Sequence, residues 1–358
     1  HDRQEVTGMR KKQTTSRYNI LAIAILAAVF VVLTSCRQAE EGSDIPDHRQ
    51  STTAAVTWLL RENQGVDGGF GIDFNTGEPS SNVASTVDAI LALSAADFDA
   101  GATYCEVDNS ALDYLKVNNG ELLEYAAVSG GANGKIILAL VSANQNAQDY
   151  VGHDFVAQLQ EQFEPSGAYN SQAAFDQALA ILALSAVDEP VQEEAIFWLE
   201  NLQSENGSWD DGFGTEQNAD ATAMAVMALL AQGKNSTEPS VASALAFLET
   251  SQLETGGWEY GPGFGENANS TALALQALTA AGENVYDSDG EWVKTGRLPV
   301  DALLAWQDSN GAFQADFGQG RFDDAIATLQ AIPAVAGKPY PLSKQSAEMQ
   351  NEIVCLTQ

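Results

Sequence analysis

Residues 198–209, WLENLQSENGSW, are matched later in the chain by residues 247–258, FLETSQLETGGW. In both copies a glutamine, a glycine and an aromatic residue stand at positions i, i+4 and i+6. The same spacing occurs near each end of the chain, at Gln64, Gly68 and Phe70 and at Gln307, Gly311 and Phe313. Such internal similarity indicates a repeat architecture.

Two degenerate copies complete the series. One runs over Leu115–Gly120, with Asn119 at the glutamine position, and the other over Leu159–Tyr169, with one extra residue. The six copies recur at a period of roughly 45–50 residues, which is the length of one helical hairpin with its loops.

A run rich in alanine and leucine follows every copy, at residues 85–93, 135–140, 177–184, 222–229, 271–278 and 325–332. These runs have almost no polar face, so they predict buried helices. The segments before the loops, such as 191–202 and 241–248, alternate apolar and polar residues at helical spacing and predict outer helices with one wet face. Six outer–inner pairs predict a closed ring of twelve helices.

The glutamine–glycine–aromatic loops resemble the QW repeats of the prenyltransferase and squalene cyclase superfamily. That superfamily shares its ring with the cobalamin carriers and with the thioester domains of complement-like proteins. The resemblance covers residues 51–336 and implies an all-α fold, an α6/α6 toroid of six helix-hairpin repeats. It implies structural roles for the repeat residues themselves, namely Gln64, Gln203, Gln252, Phe70, Trp209, Trp258 and Phe313.

In such a ring the first residues of all six inner helices meet at one mouth, the default place for a ligand. Alignment of the repeats predicts these ligand-binding residues there: Asp176, Gln177, Asp220, Thr222, Asn269, Thr271, Asp323 and Asp324. Three loops, 69–71, 212–214 and 263–265, are expected to overhang the same end. The alternative is that the Asp, Asn and Thr residues only cap the helices.

Two chemistries of the superfamily are excluded. Protein prenyltransferases hold zinc with Asp, Cys and His, but the three histidines, His1, His48 and His153, and the cysteines Cys105 and Cys355 all lie away from the inner-helix starts. The sequence therefore predicts no metal site. The Gly-Cys-Gly-Glu-Gln run of thioester domains does not occur.

Cyclase activity stays open, with Asp220, Asp323 and Asp324 as candidate catalytic acids. Squalene-type cyclases protonate an alkene with the central Asp of Asp-x-Asp-Asp-Thr-Ala. Residues 218–223 keep Asp220, Thr222 and Ala223, whereas Asn218 and Ala221 replace the flanking acids. A glycosidase, which needs two carboxylates at the mouth, is the other open enzyme class.

The favoured function is binding of a small or medium ligand, cobalamin-like or isoprenoid-like, at the mouth. Residues 220–225, DATAMA, resemble the starts of inner helices in cobalamin carriers. No cofactor is certain, and an enzyme of the toroid class remains the alternative.

Residues 1–36 resemble a bacterial lipoprotein signal. Basic residues precede an apolar run at 20–33, which is too short as a helix to span a bilayer. The run ends in Leu33-Thr34-Ser35-Cys36, similar to a lipobox. Met9 begins a natural-looking start, so residues 1–8 are interpreted as an upstream extension. An ordinary cleaved signal and an uncleaved anchor remain the alternatives.

The predicted organisation is therefore a signal peptide at 1–36, a flexible linker at 37–50, the toroid at 51–336 and a tail at 337–358. Lipid on Cys36 would hold the protein outside the cytoplasm on the bacterial cell membrane. In that oxidising compartment Cys105 and Cys355 are predicted to form a disulfide between the first and last units.

The charge balance excludes a general nucleic-acid binder. The 358 residues include 16 Lys and Arg against 49 Asp and Glu, a net charge of −33. Phosphate backbones require the opposite balance. Because five of the basic residues belong to the leader, the part after Cys36 is more acidic still.

Overall fold

Paired helices dominate the protein in a computed structural model, which describes residues 48–72, 80–105 and 107–343. Thirteen α-helices lie within these residues: α1 (Arg49–Glu62), α2 (Val83–Ala95), α3 (Ala111–Val117), α4 (Asn119–Val128), α5 (Gly130–Ser142), α6 (Phe155–Glu161), α7 (Ala174–Ala186), α8 (Glu193–Asn201), α9 (Ala219–Ala231), α10 (Pro239–Ser251), α11 (Ala268–Ala280), α12 (Pro299–Leu304) and α13 (Ala325–Val335). The prediction of an all-α fold is confirmed.

Six of these helices, α2, α5, α7, α9, α11 and α13, form the inner layer. Each contacts the next along the chain, and α13 returns to contact α2, so the layer is a closed ring. The last loop also reaches the first helix, because Gln307 Nε2 donates to the carbonyl oxygen of Ser51 at 3.0 Å. The predicted α6/α6 toroid is therefore the observed architecture.

Small residues let the inner helices approach closely. Alanines of this layer, such as Ala89, Ala180 and Ala225, are fully buried. A Cβ atom at Gly134 on α5 would lie 2.7 Å from the carbonyl oxygen of Leu179 on α7. Only glycine fits there, since a side chain would force the two helices apart.

Two short antiparallel hairpins precede inner helices. Strand β1 (Phe70–Ile72) pairs with β2 (Ser80–Asn82), with Phe70 opposite Asn82. Strand β3 (Gln314–Ala315) pairs with β4 (Phe322–Asp323), with Gln314 opposite Asp323. Each hairpin ends directly before an inner helix and so lies at the mouth.

The second repeat departs from the prediction. Residues 115–120 were expected to form a degenerate loop, but helix α3 continues to Val117 and helix α4 begins at Asn119. Asn119 at the glutamine position thus starts a helix. Its side chain bonds back to the carbonyl oxygen of Lys116 at 2.9 Å and makes no loop contact. With Asn119 and Gly120 both helical, this repeat uses α4 to reach the mouth.

Several predictions fall outside the described residues. These are the signal segment, the lipidated Cys36, nearly all of the linker, and Cys355. Cys105 is disulfide-bonded, but the other two cysteines are both outside, so its pairing with Cys355 stays a prediction. Within the described part, no helix has the length and apolar character needed to cross a bilayer.

The segment after α13 was predicted as a tail. Its described part, 337–343, packs on the ring. Lys338 Nζ lies 2.7 Å from Asp97 Oδ1, and Leu342 is buried.

Candidate functional site

The loop before each inner helix is held by one recurring set of hydrogen bonds. Thr222 Oγ1 accepts the backbone N–H of Trp209 at 3.0 Å, and Thr271 Oγ1 accepts that of Trp258 at 3.0 Å. Both hydroxyls donate to the carbonyl oxygen four residues earlier. Both side chains are fully buried. Thr222 and Thr271 therefore have a structural role, which corrects the prediction that they contact a ligand.

The repeat glutamines complete the same loops. Each donates from Nε2 to the glycine carbonyl four residues on, at 2.8–3.1 Å, as expected from the resemblance; the residues are Gln64, Gln203, Gln252 and Gln307. Trp209 and Trp258 are fully buried beneath these loops. Each donates from Nε1 to a carbonyl oxygen of an outer helix. The QW residues are thus structural throughout.

In the third repeat Gln177 makes both the hydrogen bond of the threonine and those of the loop glutamine. Its Oε1 accepts the N–H of Tyr169, as the threonines do elsewhere, and its Nε2 donates to the carbonyl oxygens of Gly167 and Ala195. Phe163 pairs with Tyr169 as Gln64 pairs with Phe70. Phe163 therefore occupies the glutamine position, and the supposed extra residue does not exist. Gln177, buried and fully bonded, is a second correction to the predicted ligand-binding set.

Three other predicted residues lie at the mouth without forming a common site. Asp324 is the N-cap of α13 and accepts the N–H of Ala327 at 2.7 Å, so it caps the helix as the alternative interpretation expected. Asp323 is exposed and accepts hydrogen bonds from Asn310 and Gln314. Asn269 Nδ2 donates to Gln330 Oε1 at 2.9 Å.

Asp176 and Asp220 do come together. They line one cavity of about 180 Å³, between the starts of α7 and α9 and the loops of the fourth and fifth repeats. Its polar and aromatic lining consists of Phe175, Asp176, Asp211, Phe213, Asn218, Asp220 and Tyr260. A cavity of this size fits one arm of a ligand rather than a whole drug-sized molecule.

Asp220 is the unusual group in this cavity. It is the second residue of α9, it is 9% exposed, and its Oδ1 has no hydrogen-bond partner. Burial raises the pKa of Asp220 to about 7, although the nearby Ser270 hydroxyl acts in the opposite direction. A buried carboxyl oxygen without a hydrogen-bond partner costs free energy unless a ligand or water bonds to it.

Asp211 has the opposite character. Burial alone would raise its pKa, but the N–H groups of Thr215 and Phe213 and the Tyr260 hydroxyl lower the pKa of Asp211 to about 2. Tyr260 Oη donates to Asp211 Oδ2 at 2.8 Å. Of the cavity carboxyls, that of Asp211 is ionised at neutral pH, whereas that of Asp220 is about half protonated there.

Sequence reasoning missed Asp211 and Tyr260. A signal was present, because each stands two residues after a repeat tryptophan, Trp209 or Trp258. A residue two positions after the buried aromatic lies where the chain leaves the loop and approaches the neighbouring inner helix. Phe175, at the start of α7, supplies an aromatic wall of the cavity.

Exposed phenylalanines surround the mouth. Phe213, Phe264 and Phe317 are 90%, 66% and 80% exposed, and a glycine directly follows each of them in its loop. A carboxylate braces every one of these loops by accepting two backbone N–H groups; the residues are Asp211, Glu259 and Asp316. These hydrogen bonds therefore fix the loops that expose the three phenylalanines at the rim of the mouth.

Metal ligands do not gather here. In the part of the chain with described structure, no group of three or more His, Cys, Asp or Glu residues could hold a metal ion.

Solved structures confirm the fold. The type II terpene cyclase MstE from Scytonema is 17% identical with a TM-score of 0.55, covering 80% of this chain and 97% of the cyclase. Haptocorrin in complex with Cbi is also 17% identical with a TM-score of 0.55, covering 87% of this chain and 74% of haptocorrin. A protein from Actinoplanes is 15% identical with a TM-score of 0.53, covering 81% and 99%.

Family models identify the sequence more closely, although no curated protein matches it. The prenyltransferase alpha-alpha toroid domain model matches residues 7–128, which confirms the resemblance drawn from the repeats. The model described as eukaryotic cobalamin-binding protein matches residues 100–352, well over half of the chain. The protein is therefore an α/α toroid that belongs to the family of the eukaryotic cobalamin-binding proteins.

Proposed function

We propose that the protein binds a corrinoid, cobalamin or a close relative, at the mouth of the toroid. The observation that carries this proposal is the unpartnered Oδ1 of Asp220 in the mouth cavity. The edge of a corrin ring carries primary carboxamides, whose N–H groups are hydrogen-bond donors. One such arm would fill a cavity of about 180 Å³ and supply the missing donor to Asp220.

The surroundings of the cavity support the same ligand class. Asp176 offers a second acceptor on the cavity wall. Phe213, Phe264 and Phe317 offer apolar surface to a large, flat and partly apolar molecule. The family match supports it independently of the geometry.

Calorimetric titration with cyanocobalamin tests the proposal. We expect saturable binding, and we expect Asp220→Asn to weaken it at least about tenfold at pH 8, since a hydrogen bond to a charged acceptor contributes roughly 1.5–3 kcal/mol. Because a donor arm prefers the ionised carboxylate, wild-type affinity should rise from pH 6 to pH 8, whereas the affinity of Asp220→Asn should stay level.

Asp149→Asn is the matched control, because Asp149 is exposed and does not line the cavity. This variant should bind cyanocobalamin as the wild type does. Absence of heat and of any thermal shift with cyanocobalamin at millimolar concentration would contradict the proposal.

An enzyme of the toroid class is the second candidate. Protonation of Asp220 near neutral pH, caused by burial, favours an acid that donates a proton to an apolar substrate. Asp176 in the same cavity would provide the second carboxyl that a glycosidase needs. Turnover of an isoprenoid or an oligosaccharide that is lost in Asp220→Asn, without cobalamin binding, would select this candidate.

We also propose that lipid on Cys36 anchors the toroid to the outer side of a bacterial cell membrane. The lipobox-like residues 33–36 directly after an apolar run support this. Labelled palmitate should be incorporated into the full chain and not into Cys36→Ser. Equal labelling of both chains would refute the anchor.

A further inference from the structure

Four charged residues lie on the six inner helices: Asp88, Lys135, Asp176 and Asp220. Asp176 and Asp220 belong to the mouth cavity, and the other two form an ion pair that the cavity does not include. Lys135 Nζ lies 2.9 Å from Asp88 Oδ1. The side chains of Lys135 and Asp88 are 23% and 37% exposed, so the pair is partly buried.

Packing does not require this pair. Asp88 and Lys135 are the sixth residues of α2 and α5, and at the same position the next three inner helices carry Leu179, Met224 and Leu273, all buried. Replacing an interior ion pair by apolar residues is often neutral or stabilising. Three of the other four inner helices therefore complete the ring with leucine or methionine at this position, and α13 carries the uncharged Gln330. The pair is better explained by something that it binds.

The pair adjoins the mouth cavity. Gly131 lies one helical turn before Lys135 on the same face of α5, a rise of about 5.4 Å. A Cβ at Gly131 would lie 2.4 Å from Asp176 Oδ1, so Asp176 packs directly on that turn. Tyr125 of α4 lies within electrostatic reach of Lys135, Asp88 and Asp176 together. The pair does not line the cavity itself, but Lys135 lies only about one turn of α5 beyond the turn on which Asp176 packs.

We propose that the Asp88–Lys135 pair is a second recognition point for the same ligand, in which Lys135 binds a phosphodiester and Asp88 accepts an N–H group. This inference rests on the proposed corrinoid function. An ammonium has three N–H donors, and the pair with Asp88 uses one of them. Cobalamin carries both a phosphodiester and amide N–H groups, which match the two halves of the pair.

Charge favours Lys135 as the place for such a group. It is the only basic residue on the inner helices, in a chain of net charge −33. A phosphodiester placed against the mouth carboxylates would meet repulsion, whereas at Lys135 it forms charge-assisted hydrogen bonds. The pairing with Asp88 keeps the ammonium in place before the ligand arrives.

The test compares cyanocobalamin with dicyanocobinamide, a corrinoid without the phosphodiester, in calorimetric titrations of the full chain. Lys135→Gln should lose about tenfold in affinity for cyanocobalamin and change less than about twofold for dicyanocobinamide. Lys135→Arg should retain most of the affinity for both. Asp88→Asn keeps an acceptor for the ligand N–H group in its amide oxygen, so it should lose less affinity for cyanocobalamin than Lys135→Gln does.

Melting curves without ligand check that each variant is folded, and Lys135→Met, which has the residue that α9 carries at this position, replaces Lys135→Gln if that variant does not fold. Equal losses for both corrinoids in Lys135→Gln would overturn the phosphodiester assignment while leaving the corrinoid function intact. A loss of cyanocobalamin affinity in Asp88→Asn that matches the loss in Lys135→Gln would also overturn it. Absence of binding of both corrinoids to the wild type would overturn the proposed function together with this inference.

Discussion

Replacing Asp220 by asparagine is expected to raise the free energy of unfolding by about 4 kcal/mol at pH 8 and to leave it nearly unchanged at pH 4. Burial raises the pKa of Asp220 from 3.8 to about 7 in the folded protein. The folded protein therefore holds this proton more tightly than the unfolded chain does. Between pH 4 and pH 7 the folded state binds more protons, so its stability falls as the pH rises.

Asparagine has nearly the shape of the protonated acid and no charge to bury, so it removes that loss. The measurement is denaturant unfolding of both proteins at several pH values from 4 to 8. Asp149→Asn, at an exposed site, should show no pH-dependent difference from the wild type. Parallel stability curves for wild type and Asp220→Asn across this range would contradict the prediction.

The same substitution is expected to weaken ligand binding, so its effects on stability and function have opposite signs. An acid that lowers stability at neutral pH is hard to explain by packing, since asparagine, serine or alanine would serve the helix start as well. Functional sites commonly retain such destabilising groups. This combination of results would separate a binding residue from a structural one.

Replacing Gln177 by threonine is expected to lower the free energy of unfolding by about 3 kcal/mol. Threonine could still accept the N–H of Tyr169, as Thr222 accepts that of Trp209. It could not reach the carbonyl oxygens of Gly167 and Ala195, which Gln177 Nε2 bonds at 2.9 and 3.0 Å. Two buried carbonyl oxygens would be left without a hydrogen-bond donor, and the smaller threonine side chain would leave a cavity.

A second substitution should repair this loss. Phe163 stands where the other loops carry glutamine, so Phe163→Gln together with Gln177→Thr restores the arrangement of the other repeats. We expect the double variant to regain most of the stability in chemical unfolding, with a clear coupling between the two sites. Additive effects of the two substitutions would show that Gln177 does not replace the loop glutamine.

The fold was readable from the sequence because its signals are local. A glutamine, a glycine and an aromatic at fixed spacing make the same loop each time, as Gln203, Gly207 and Trp209 do. An alanine–leucine run without a polar face can only be an inner helix. The second and third repeats were misread because Asn119 begins a helix and Gln177 acts from outside the loop.

The sequence predicted only part of the candidate site. Alignment of the repeats placed the predicted residues at the starts of the inner helices, but it could not tell which way each side chain faces. Thr222 and Thr271 turn towards the loops, and Asp220 turns towards the cavity. One residue of difference along a helix rotates a side chain by about 100°, enough to exchange these roles.

By itself the sequence determined the ring, its mouth and the positions from which a ligand could be contacted, since these follow from periodicity and loop chemistry within each repeat. Only the tertiary structure decided that Asp211 and Tyr260 join Asp176 and Asp220 in one cavity. The reason is that these residues come from three successive repeats, so that Asp176 and Tyr260 are far apart in the chain. Burial by the surrounding elements, which no local pattern specifies, then sets the pKa of Asp220.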